Sequence, residues 1–206
     1  SMASFMGGLC FMFCGFLISH RGHQAMMEAA VWLPLILFLV ESFFQNRKLI
    51  YLLCGGIAFA MSILADYIAM PMYIGMVVFP YLSFKVFIKG SHDKIYRRLF
   101  KIIVYSFLIF GTGLLLSSVT ILPIAESLKY VTRESIDYNF FTDFSFKWKY
   151  LPIIVFPFFY GYHSEHWNLV EMAGYMGIIP LMSAIICFLH YRKKEVHIYF
   201  WGIVAI

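Results

Sequence analysis

Charge is scarce in this chain: Asp, Glu, Lys and Arg make up 13% of its 206 residues, where a water-soluble domain carries about 25%. Hydrophobic residues reach 62% and mean hydropathy is +0.79. A soluble domain cannot hide that much apolar surface, so the composition excludes one and points to an integral membrane protein. Cysteine is also sparse. Cys10, Cys14, Cys54 and Cys187 all lie inside apolar runs, where they read as small buried hydrophobes rather than as a disulfide framework or a metal cluster. Nucleophile elbow, P-loop and dinucleotide fingerprint are absent, and so are internal repeats and low-complexity segments. The pI near 9.0 does not indicate nucleic acid, because the basic residues stand in short clusters between apolar runs. No basic n-region or clear cleavage site precedes the first apolar run, so the N-terminus does not read as a secretory signal. Another apolar run opens near His197, and the chain reads as a piece of a longer protein.

What the chain has in abundance is apolar spans. Hydropathy draws six, roughly Ala3–Ser19, Ala29–Phe44, Leu49–Ala65, Tyr67–Ile88, Ile102–Ile124 and Met172–Tyr191, with a seventh beginning near His197. Pro34, Pro71, Pro80, Pro123 and Pro180 fall within or beside them. Membrane helices tolerate this because neighbouring helices re-satisfy the freed backbone groups. The expected fold is an all-α polytopic helix bundle of about six to seven spans, forming a single transmembrane domain over residues 1–206.

The remaining polar character gathers in Glu126–Glu171. Its apolar middle, Leu151–Tyr162, is 12 residues long and carries Pro152 and Pro157, against the roughly 20 residues a spanning helix needs. It reads as a re-entrant loop that enters and leaves one membrane face. With that topology, one side collects Arg47, Lys48, Lys85, Lys89, Lys94, Arg97, Arg98, Lys101, Arg192, Lys193 and Lys194. The other holds Arg21, Lys129, Arg133, Lys147 and Lys149. Eleven cations against five make the first side cytoplasmic. The acids divide the opposite way, three inside and eight outside. The expected location is a bacterial inner membrane, crossed several times.

Several clusters could carry chemistry. His20-Arg21-Gly22-His23 ends the first span, and its two histidines share a face if the segment is helical. With Arg21 they could grip a phosphate, or the two imidazoles could take a divalent metal ion. Equally, short polar residues end a helix and Gly22 turns the chain. His163-Ser164-Glu165-His166-Trp167 sets a carboxylate inside an H-x-x-H spacing. Glu165 could orient a histidine or act as a base, and Trp167, Tyr160 and Tyr162 could stack on sugars or simply form the interfacial aromatic belt. Arg133, with Lys129 nearby, suits a lipid-linked phosphate because its planar fork pairs with two oxygens, or it meets ordinary headgroups. Asp66 stands between two spans with almost no loop. It is either a costly carboxylate kept for function or a solvated turn residue. Gly174 and Gly177 would let another helix approach closely.

These residues bear a family likeness. Phe11-Met12-Phe13-Cys14-Gly15-Phe16-Leu17, then His20…Gly22-His23, then Ala30-Val31-Trp32-Leu33-Pro34-Leu35, resemble the bacterial YfhO-type membrane proteins. So do Leu122-Pro123-Ile124 followed by Arg133, and Glu171…Gly174-Tyr175-Met176-Gly177-Ile178-Ile179-Pro180-Leu181. The resemblance implies a fold like that of the GT-C glycosyltransferases, which use a polyprenyl-phosphate sugar donor on the outer face. It also implies a catalytic acid in the first external loop, ahead of where this chain begins.

The expected function is therefore transfer of a sugar from a lipid carrier to an extracytoplasmic acceptor. The expected substrate-binding residues are His20, Arg21, His23, Asp66, Arg133, Glu165 and His166, and the expected partners are membrane lipid and the lipid-linked donor. A non-enzymatic transporter or lipid flippase is the alternative, and a structural subunit is a third reading. A transporter should hold ionisable residues near the bilayer midplane, whereas most of those in this chain lie at span ends.

Overall fold

The computed structural model describes residues 2–89, 94–127, 148–156, 159, 174–175 and 177–190. Every element among them is helical, with no strand. They belong to two units: one takes the described residues up to Gln24 and from Trp148 to His190, the other those from Ala25 to Ser127.

In the first unit, α1 (Met2–Met12) and α2 (Gly15–Ser19) replace the continuous first span expected over Ala3–Ser19. The winding tightens where they meet, since the Cys14 N–H bonds the Phe11 carbonyl three residues back. The Gly15 N–H then leaves the helix and donates to the Tyr175 carbonyl at 2.5 Å. That bond joins two of the stretches that carry the family likeness. Trp148–Ile154 winds as a 3-10 helix around Pro152, burying Tyr150 and Ile153. It is the described start of the segment expected to dip into the membrane. The last helix here, α10, runs Ile178–His190. Gly177, just ahead of it, has φ +98, which L side chains rarely adopt. Its role is to turn the chain into α10, a different reason for a glycine from the helix packing expected of it.

The second unit is built on α3 (Gln24–Ala30), α4 (Trp32–Asn46), α5 (Ile50–Leu64), α6 (Ala69–Lys89) and α7 (Ile95–Ser106). A π-helical turn, Phe107–Gly111, leads into α8 (Thr112–Leu116), and α9 (Ser118–Ser127) follows. Three stretches are long and apolar enough to cross a membrane: Gln24–Asn46 (23 residues), Ala69–Lys89 (21) and Ile95–Leu116 (22). At 1.5 Å per residue each is about 32–35 Å long, enough for a hydrocarbon core of about 30 Å.

α5 is shorter, 15 residues, and forms the centre of the unit. It packs on α4 along one side and on the π turn and α8 along another. Gly56 makes the second contact possible: a Cβ there would run into the Thr112 side chain and lie 2.9 Å from the Ile109 carbonyl. From the other helix, a Cβ on Gly113 would stand 2.5 Å from the Phe59 ring. Small residues on both helices thus bring the two backbones together, the usual means of association where lipid removes the hydrophobic drive.

On α4, Ile36, Val40, Phe43 and Phe44 are buried at i, i+4, i+7, i+8 spacing. The helix stops at Arg47, whose left-handed backbone (φ 58) sends its N–H to the Phe43 carbonyl at 2.7 Å. Asn46 Nδ2 donates to the Ser42 carbonyl at 3.1 Å, and Lys89 Nζ, from the end of α6, donates to the Phe44 carbonyl at 2.7 Å. Two orphan carbonyls of the helix end, those of Phe43 and Phe44, are thereby satisfied, and the Ser42 carbonyl gains a second donor.

The prolines divide into two groups. Pro34, Pro71 and Pro180 are each the third residue of α4, α6 and α10, where the missing N–H would have had no intrahelical partner. Pro80 and Pro123 are true interior prolines of α6 and α9. One regular helix through α3 and α4 would need an N–H at position 34 for the Ala30 carbonyl, which Pro34 lacks, and this accounts for the break at Val31.

Candidate functional site

The histidine turn lies between α2 and α3. His20 is 3% exposed. Its Nδ1 stands 2.9 Å from the Phe16 carbonyl and 3.0 Å from Ser19 Oγ. Ser19 Oγ donates to that same carbonyl at 3.1 Å, and so does the His20 N–H, also at 3.1 Å. One carbonyl at the end of α2 thus collects three donors. The His20 ring tilts over Phe16 with 4.5 Å between centroids, and His23 meets it edge-on at 6.0 Å. Arg21 and His23 are exposed beside it. The turn therefore offers one imidazole locked into the backbone and a second, with a guanidinium, facing outward. Among the described residues no three His, Cys, Asp or Glu side chains converge on a metal position.

Asp66 sits in the turn between α5 and α6 with φ 64, exposed, its N–H directed to the Ile63 carbonyl at 3.3 Å. Asp tolerates the left-handed conformation better than most residues, so this geometry is that of a turn former. His20, Arg21 and His23 lie in the first unit and Asp66 in the second. Arg133, Glu165 and His166 lie outside the described residues, as do Lys129, Tyr160, Tyr162, His163 and Trp167.

The densest polar contact in the second unit was not among the expected sites. Glu41 on α4 accepts from Lys85 Nζ at 2.7 Å and from the Tyr81 hydroxyl at 2.8 Å, both on α6, and from Gln45 Nε2 at 3.2 Å. Both charges fall inside stretches apolar enough to span a membrane. A signal for them was present in the sequence, because one acid and one base of opposite sign interrupt two apolar runs. An intramembrane ionisable residue is a functional candidate together with its partner.

The same end of the unit gathers cations. Arg47 and Lys89 flank the Phe44 ring at 6.0 and 5.9 Å, and Arg98 lies 6.0 Å from the Phe87 ring. Toward the Asp66 end, an apolar groove of about 420 Å³ opens between α5, α6 and the α8–α9 stretch. Ile63, Ile68, Met72, Gly75 and Phe110 are among its walls, and a shallower apolar hollow continues it past Met76 and Phe79. Ile63 and Ile68 bracket Asp66 in the sequence, so the groove begins beside that turn.

No family model, curated protein or solved structure matches this chain.

Proposed function

We propose that this is a GT-C-like membrane glycosyltransferase that takes a sugar from a polyprenyl-phosphate carrier to an extracytoplasmic acceptor. In this reading about six to seven spans cross a bacterial inner membrane, and Leu151–Tyr162 forms an external re-entrant loop. The observation that supports it best is the groove beside Asp66. Its walls are apolar and it lies among helices able to span a membrane, so its natural occupant is a hydrocarbon chain. A turn with an exposed carboxylate at its mouth suits the polar head of such a lipid.

Attack of an acceptor hydroxyl on a sugar carbon needs a carboxylate base, and the departing phosphate needs cations. Arg133, Arg21 and His23 are proposed for the second role, with Glu165 and His166 at the rim.

The test is sugar transfer by the full-length protein in membranes supplied with a polyprenyl-phosphate donor. At Gly75 a Cβ meets nothing nearer than Phe110 Cε1 at 3.8 Å, so Gly75→Leu should enter the groove without moving the backbone. Losing burial of two carrier methylenes, at about 0.8 kcal/mol each, should lower transfer on the order of tenfold. Arg133→Lys should cost about tenfold to a hundredfold, since Lys cannot copy the bidentate contact. Unchanged transfer in both variants sinks the reading.

A second reading, a transporter or flippase, draws on the Glu41–Lys85 pair within two spans. It expects Glu41→Gln to abolish solute or lipid movement in proteoliposomes while leaving any sugar transfer intact. Sugar transfer lost together with movement would remove it.

A further inference from the structure

We infer that Arg47 and Lys89, the two cations beside the Phe44 ring, bind the phosphate of an anionic phospholipid in the leaflet at that end of the helices. Arg47 Cζ is 6.0 Å and Lys89 Nζ 5.9 Å from the Phe44 ring centre, so the two cations are at most 11.9 Å apart, the sum of those distances. Both are exposed. The described carboxylate on α4, Glu41, is engaged by Lys85, Tyr81 and Gln45. Among the described residues, neither Arg47 nor Lys89 forms an ion pair with a carboxylate. Two exposed cations held beside one ring, neither paired with a described carboxylate, offer charge-assisted donors to an anion.

Each cation keeps donors to spare. Lys89 spends one of its three N–H groups on the Phe44 carbonyl. Arg47 is fixed by its place at the end of α4, and the described contact of its guanidinium is the Phe44 ring.

The surroundings favour a lipid over a free anion. Leu49, Ile50 and Leu53 follow Arg47 directly and are 54%, 56% and 36% exposed on the first turns of α5. A headgroup phosphate between Arg47 and Lys89 would lay its acyl chains along those side chains. A site made of the two cations favours phosphatidylglycerol over phosphatidylcholine, whose choline carries a cation of its own.

The experiment equilibrates the full chain in detergent micelles with equal amounts of phosphatidylglycerol and phosphatidylcholine. The protein is then repurified and retained lipid is measured by mass spectrometry. Wild type should keep phosphatidylglycerol preferentially. Arg47→Gln with Lys89→Gln should lose on the order of tenfold or more of that preference, since charge-assisted hydrogen bonds to the phosphate are removed. Glutamine keeps a donor for the Phe44 carbonyl, and the melting temperature of the variant checks the fold. The control pair Lys94→Gln with Arg97→Gln removes equal charge from the same end and should retain most of the preference. Equal loss in both pairs would mean diffuse attraction and overturn the site. Equal retention of the two lipids by wild type would also overturn it, and that arm needs no variant. Displacement of the lipid by millimolar inorganic phosphate would make the ligand a free anion and overturn the lipid assignment.

Discussion

His20 and His23 are alike in sequence and unlike in place. His20 is buried with its Nδ1 on the Phe16 carbonyl, while His23 is exposed. Removing His20 leaves a turn short of a donor and empties a buried ring position. His20→Ala should therefore cost about 1–3 kcal/mol of stability, whereas His23→Ala should stay within about 0.5 kcal/mol. Thermal unfolding of the purified protein checks this, and equal effects would remove the structural role given to His20. The pair was legible as a polar cluster, but which histidine faces inward was not, because that depends on the local tightening at Phe13–Cys14. Glu41 and Lys85 show the opposite case. Each was visible as a charge, and their pairing needed α4 and α6 side by side. A double-mutant cycle of Glu41→Gln and Lys85→Met should give a coupling of about 0.5–3 kcal/mol, and additive losses would mean the contact contributes nothing.

At the scale of the element, hydropathy locates the helices well and their interruptions poorly. The expected spans over Leu49–Ala65 and Tyr67–Ile88 correspond closely to α5 and α6. The run expected from Ile102 already begins at Ile95, because α7 carries Arg97, Arg98 and Lys101 on a strongly amphipathic face that a hydropathy window rejects. The π turn at Phe107–Gly111 leaves no mark in composition. It is accompanied by Thr112 Oγ1 bonding back to the Leu108 and Ile109 carbonyls, a pattern that bends helices. The close crossing of α5 with this turn and α8 gives a direct test. Gly56→Ala and Gly113→Ala should each cost about 1–3 kcal/mol by overpacking. Gly7→Ala, where a Cβ meets nothing within 4 Å, should be neutral. Equal melting temperatures for all three would show that the helices can separate without cost.

At the scale of the whole molecule, the C-terminal ends of α4 and α6 meet through Lys89 Nζ and the Phe44 carbonyl. Arg47, Lys48, Lys89 and Arg98 therefore stand at one end of the second unit and Asp66 at the other. By the excess of cations, that first end should face the cytoplasm. Single cysteines in a background lacking the native four should label from outside intact cells at position 66 and stay unlabelled at position 97, and the reverse pattern would invert the topology. The strongly apolar character of the chain was determined by the sequence alone, with 62% hydrophobic residues, and the described residues include three helical stretches long and apolar enough to cross a membrane. So was the approximate position of most helices, since every backbone group in hydrocarbon must bond within its own segment. The tertiary structure alone decided which glycines mark a crossing, which prolines escape their penalty at a helix start, which histidine is buried, and which charges pair. Each of these depends on a neighbour distant in the chain or on the exact start of a helix. Runs that are apolar on every side carry no periodicity to say which face meets which.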